Sequence, residues 1–124
     1  MTAVRIDLPW TTPPLTANQR MHWAKKAAVV REVRWTAWAL ARKAPRADRL
    51  IVTLHYQPRD IRRRDAHNLW PTLKACVDGL IDAKLAPDDD TAHVSTPEPV
   101  IHPPDGAKAA MWLEIDYPDG EAAA

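Results

Sequence analysis

Asp65 opens the stretch of this chain in which residue types and spacing point to chemistry. It follows directly on Arg59-Asp60-Ile61-Arg62-Arg63-Arg64 and precedes His67, Lys74, Asp78, Asp82 and the run Asp88-Asp89-Asp90. Carboxylates offer hard oxygens to a divalent cation, and guanidinium groups beside them suit a polyanion. The two needs meet in phosphodiester hydrolysis, where a metal supplies charge and an activated water while the substrate backbone must be neutralised. Asp65, Asp78, Asp89 and Asp90 are therefore candidate metal ligands, and Arg62, Arg63 and Arg64 candidate DNA contacts. The competing reading is an ion-paired helix surface with an acidic turn.

A second group is basic and aromatic. At helical period, Arg20, Arg31, Arg34, Trp35, Trp38 and Arg42 fall in one sector of an expected helix. Guanidinium and indole faces suit phosphates and unstacked bases, which makes Arg31 and Arg34 further candidate DNA contacts. Trp35 and Trp38 have an alternative place in the core or in a dimer interface. Trp23, Val30, Val33, Ala37, Leu40 and Ala41 fill the neighbouring sector and read as the core face. His22, His55, His93 and His102 share no zinc-like spacing and read as structural or surface residues.

The elements that must position these groups follow from periodicity and breakers. Val4, Ile6 and Leu8 alternate with Arg5 and Asp7 as in a half-buried strand, and Pro9, Pro13 and Pro14 end it. Gln19 to Lys43 holds no Pro or Gly and reads as a long helix stopped by Pro45. Arg49 to Gln57 is rich in β-branched residues and reads as a second strand. Leu69 to Lys84 reads as a second helix, capped by Asn68 and with Pro71 in its first turn. Its apolar face is Leu69, Leu73, Cys76, Val77 and Leu80, bordered by Lys74, Asp78 and Asp82 at intervals of four. His93 to His102, interrupted by Pro97 and Pro99, reads as a poor edge strand, and Ala109 to Tyr117 as the last strand. The order β-α-β-α-β-β predicts an α+β domain over residues 1–118: a small mixed sheet packed against two main helices, with 119–124 a disordered tail.

Composition narrows the class. One cysteine, Cys76, excludes an internal disulfide and a Cys-built zinc cage. No run of about 18 apolar residues offers a membrane span, and MTAVRIDLPW lacks the regions of a signal peptide, so a cytoplasmic location is expected. The net charge of +1 hides a division: residues 20–74 carry 14 Lys and Arg against 4 Asp and Glu, residues 75–124 carry 2 against 11. Such asymmetry suits nucleic-acid contact by the first part, or two opposite halves folded against each other.

Taken together these segments resemble the RusA-like Holliday-junction resolvases, including the type found in actinobacterial phages and prophages. IDLPWTTPPLTANQR is similar to that family's opening strand and Pro/Asn loop. RRRDAHNLWPTLKACVDGLIDAKLAPDDD is similar to its signature of a D-x-D-N-L element, a lysine-bearing helix with D-G-L, and a closing D-D. The resemblance implies a RusA-like fold and a homodimeric, Mg²⁺-dependent endonuclease that nicks four-way junctions symmetrically. It implies that Asp65 and one of Asp88–Asp90, with Asp89 ahead of Asp90, are essential carboxylates, and that Lys74 is the helix lysine stabilising developing charge. The chain departs from the pattern at Asp65-Ala66-His67-Asn68, where His67 stands in place of the second acid. An imidazole there removes a hard oxygen and favours Mn²⁺ over Mg²⁺. The alternative function is a structure-selective DNA-binding protein of the same fold with weak or no catalysis.

Overall fold

The computed structural model describes residues 3–121. Strand β1, Ala3–Leu8, turns Ile6 and Leu8 inward and Arg5 and Asp7 out. It pairs antiparallel with β5, Ala110–Asp116, which pairs antiparallel with β2, Leu50–Gln57. The edge beyond β2 is made by two short pieces, β3 (Val94–Ser95) and β4 (Val100–Ile101), both parallel to β2. The sheet order is β1-β5-β2-β3, with β4 also against β2. Alternation along the central strands sorts the two faces: Val52, Leu54, Met111, Leu113 and Ile115 are buried, while His55, Gln57, Trp112 and Glu114 are only partly so. Both helices therefore cover the same face, and the other is open.

Pro97 and Pro99 explain the broken edge. Neither can donate to a ladder, and between the pairs Ile51↔Ser95 and His55↔Val100 the edge chain uses one residue more than β2. That bulge resets the register and brings His102 N–H onto the Tyr56 carbonyl at 2.8 Å.

Helix α1 spans Trp23–Ala41, shorter at both ends than Gln19–Lys43. Its start is fixed by His22, whose Nδ1 accepts from the Ala24 N–H at 3.2 Å. The helix buries only the narrow stripe Val33, Ala37 and Ala41, small enough for close packing on its neighbour. Two residues read as core are corrected: Trp23 is 77% exposed and Leu40 44%. Trp35 is 64% exposed, so it is not a core residue of this chain.

Helix α2 spans Trp70–Asp82 and is preceded by a 3-10 turn at Ala66–Leu69. Asn68 does not cap α2: Asp65 caps the 3-10 turn, and Leu69 holds the helix N-cap position with no side-chain hydrogen bond. Leu69, Leu73, Cys76, Val77 and Leu80 are buried as the periodicity requires. The helix ends with Ala83, Lys84 and Leu85 N–H donating to Gly79, Ile81 and Leu80 carbonyls, and Lys84 takes φ +66°. Gly79 faces α1: a Cβ there would lie 2.8 Å from the Ala37 Cβ and press on the Arg34 carbonyl. Beyond β5, Gly120 N–H donates to Tyr117 O at 3.0 Å and Arg49 Nη1 meets Asp119 Oδ2 at 3.1 Å. Of the tail read as 119–124, positions 122–124 lie outside the described residues.

Candidate functional site

The loop after β1 and the loop after β2 meet over the start of α2. Leu15 is buried, and its backbone is stapled to the helix by the buried Thr72 hydroxyl, which accepts from Leu15 N–H at 3.2 Å and donates to Leu15 O at 2.7 Å. Ala17 N–H adds a bond to Asn68 O at 3.1 Å. The basic loop is folded back by its own charges. Arg64 donates to Asp60 Oδ1 at 2.7 Å and to Asp60 O at 3.0 Å, and Arg62 Nε stands 3.2 Å from Asp60 Oδ2. The Arg64 hydrogen bond holds the Asp60 carboxyl below its usual range, and the same contact raises the Arg64 value. A cavity of about 290 Å³ opens between the loops, lined among others by Thr16, Arg62, Arg63, Arg64, Asp65 and Asn68.

Asp65 sits at the lip of that cavity. Its Oδ1 accepts from the His67 N–H at 3.0 Å, which holds the carboxylate at the start of the 3-10 turn. The exposed His67 ring lies between two acids: Nδ1 is 3.6 Å from Asp65 Oδ1 and Nε2 is 3.7 Å from Glu98 Oε1. Glu98 comes from the edge chain between Pro97 and Pro99.

Lys74 gathers the other acids. Its Nζ lies 3.0 Å from Asp78 Oδ1 on the same helix and 2.6 Å from Asp89 Oδ2 in the following loop. The hydrogen bond to Asp89, then that to Asp78, raises the Lys74 value, and Lys74 holds Asp89 low. Asp88 Oδ1 accepts from Asp89 N–H at 2.8 Å and fixes the turn. Asp90 goes elsewhere. Its carbonyl accepts from His93 and Val94 N–H, and its Oδ1 lies 3.9 Å from His93 Nε2. Of the three consecutive aspartates, Asp89 is thus the one joined to Lys74. Asp82 is taken by Arg34, at 2.5 Å to Nε and 2.8 Å to Nη2. That bidentate pair lowers the Asp82 value and ties a candidate DNA contact to α2. Arg31 remains exposed beside it, lining a shallow groove with Trp35 and Trp38, where Arg42 lies 5.0 Å over the Trp38 ring.

The donors divide into two groups when set against a divalent cation. Among the described residues no three His, Cys, Asp or Glu side chains are grouped to hold a metal ion. Asp78 and Asp89 converge on an ammonium, and the two acids beside His67 face different ring nitrogens. An all-protein cage does not fit this arrangement. A hard cation held by one or two carboxylates and completed by substrate phosphate and water fits the chemistry of Asp65 and the guanidinium groups around it.

Sequence reasoning missed Thr72, Glu98 and the contact of His55 with His102, whose Nδ1 and Nε2 lie 2.9 Å apart. Thr72 carried no signal beyond its place on a helix, and Glu98 is flanked by prolines far from Asp65 in the chain.

No family model matches the chain. An uncharacterized protein of Xylella fastidiosa (strain Temecula1) is 30% identical over 99 residues, covering 74% of this chain. The chain spans 63% of that relative's length. No helix among the described residues is long and apolar enough to cross a membrane.

Proposed function

We propose that this protein is a divalent-metal-dependent endodeoxyribonuclease that acts on branched DNA, as the resemblance to RusA-like resolvases implies. The observation that carries the reading is the cavity in which Arg62, Arg63 and Arg64 stand beside Asp65. Phosphate attraction and a carboxylate share one lip, which a phosphodiesterase requires and a merely ion-paired surface does not. Arg62 and Arg63 take the backbone, while Arg64, braced by Asp60, keeps the loop in shape. Lys74, held by Asp78 and Asp89, is a fixed positive charge for the developing negative charge. Asp65 would hold the ion, which supplies charge neutralisation and an activated water when bound. A homodimer, with Trp35 and Leu40 as exposed apolar surface for its contact, would present two sites to a junction.

A second reading is a junction-binding protein that does not cut. It is favoured by His67 in place of an acid, and by the engagement of Asp78 and Asp89 with Lys74. A labelled four-way junction incubated in Mg²⁺ and in Mn²⁺ separates the two. Paired nicks by the wild type that vanish in Asp65→Asn support the nuclease. Silence of the wild type with cutting by His67→Asp supports the binding protein. No preference for the junction over linear duplex sinks both.

A further inference from the structure

The open face of the sheet carries a row of polar rings that the nuclease reading does not use. Arg5 on β1 lies 4.2 Å over the Trp112 ring on β5, and His55 on β2 stacks on Trp112 with centroids 5.2 Å apart. His102, just past β4, stacks on both rings at 5.1 Å. His55 Nε2 lies 3.2 Å from Glu114 Oε1, and His55 Nδ1 lies 2.9 Å from His102 Nε2. This is a linear chain, Glu114 to His55 to His102, and its protons can be placed. A carboxylate only accepts, so His55 Nε2 carries the hydrogen; whenever His55 bears that single proton its Nδ1 accepts, and His102 Nε2 carries the next. The remaining nitrogen, His102 Nδ1, is left with a lone pair. It has no hydrogen-bond partner among the described residues, where no such atom is sealed from solvent. His102 lines a cavity of about 500 Å³ together with Asp60, Ile61, Arg62, Arg64 and Ile101.

We propose that this cavity is a phosphate-binding site in which His102, oriented by His55 and Glu114, is a proton-gated ligand beside Arg62 and Arg64. The ligand class is a phosphate group, either a strand's diester or a terminal monoester. Calling its source a nucleic acid rests on the reading of the basic loop, but the site requires no cleavage and no metal. The titratable and charged groups around His102 are His55 and, beyond it, Glu114 on the sheet, Asp60, Arg62 and Arg64 lining the same cavity, and Arg5 across the Trp112 ring. Asp60 neutralises one of the two arginines, so the cavity is already net positive by one charge, and protonation of His102 adds a second for the anion to meet. Burial and the neighbouring His55 hold the His102 value below the usual histidine range. The free site is therefore neutral at His102 near neutral pH, and an anion draws in a proton as it binds.

The test follows the His102 ring by nitrogen-resolved NMR across pH, with and without short oligothymidylate, with or without a 5′-phosphate. Saturation is expected to raise the His102 midpoint by about one pH unit, a tenfold coupling. A rise with both oligonucleotides identifies a diester, and a rise only with the phosphorylated one identifies a terminal phosphate. Arg62→Ala, at an exposed position, is expected to reduce the rise. Glu114→Gln, also at an accessible position, is expected to lower the midpoint of the free protein. A midpoint unmoved by either oligonucleotide, or moved equally in Arg62→Ala, overturns the site. A His102 ring protonated on Nδ1 in the neutral form, or a midpoint unchanged in Glu114→Gln, overturns the relay. Junction cleavage that persists alongside an unmoved His102 overturns this inference and leaves the nuclease reading intact; the converse result does the opposite.

Discussion

Lys84 is the residue whose backbone is most at odds with its side chain. At φ +66° it occupies the left-handed position that closes α2, where a Cβ crowds the following carbonyl. Lys84→Gly is expected to stabilise the fold by about 0.5–1 kcal/mol, the relief of strain less the extra unfolded-state freedom of glycine. A urea midpoint that rises at unchanged slope bears this out, and a fall refutes it. Thr72 makes the opposite case, because one buried hydroxyl answers both the N–H and the carbonyl of Leu15. Thr72→Val keeps the shape and orphans both groups, at an expected loss of roughly 1–3 kcal/mol measured the same way. Residues of this kind divide by how far their partners lie along the chain. Asp65, Lys74 and the acidic run share one ordered segment, so their grouping could be read from chain order, and Asp89 is the aspartate of the run that meets Lys74. Glu98 beside His67, and His102 beside His55, depend on how an edge chain broken by two prolines meets β2. Periodicity carries no information about that.

At the scale of elements, both helices and the three long strands could be read from pattern, because each buries a face that its spacing marks out. The ends and the exposed face of α1 could not. Its buried stripe is narrow because α2 approaches closely at Gly79, and this leaves Trp23, Trp35 and Leu40 outside. Closeness of approach is a property of the pair, invisible in either helix alone. Gly79→Ala therefore forces the helices apart and is expected to cost about 1–3 kcal/mol in chemical denaturation, despite alanine's better helix propensity. A neutral or stabilising result would mean that α1 and α2 do not cross as described. The same helix pair is tied at its rim by Arg34 and Asp82, and α2 to the next loop by Lys74 and Asp89. Both carboxyls titrate below the ordinary aspartate value of 3.8 when folded. The unfolded chain then takes up protons first, so the stability they contribute is present above that value and is lost as pH falls through the folded values. The melting temperature should drop over that acid range, and Asp82→Asn should make the drop shallower.

The whole molecule turns its charge division partly inward. Arg34, Arg49 and Lys74 from the basic part each meet an acid from the acidic part, namely Asp82, Asp119 and Asp89. The reading of two opposite halves folded together is thus realised for these three. Arg31, Arg59 and Arg63 make no ion pair among the described residues and are all exposed, and Arg63 lines the cavity that Asp65 borders. A cation already neutralised by a carboxylate adds little to counterion release, whereas a free one displaces condensed counterions when it binds. This distinction can be measured on four-way junction DNA as the slope of log affinity against log salt. Arg63→Ala is expected to flatten the slope by about one, as for a lost phosphate contact. Arg34→Gln, in contrast, should leave the slope nearly unchanged, although the helix period alone made Arg34 as good a DNA contact as Arg31. Equal flattening by both variants would show that Arg34 leaves Asp82 for the DNA. A wild-type slope near zero would remove the electrostatic basis for any nucleic-acid role, since a surface that displaces no counterions is not holding a phosphate backbone.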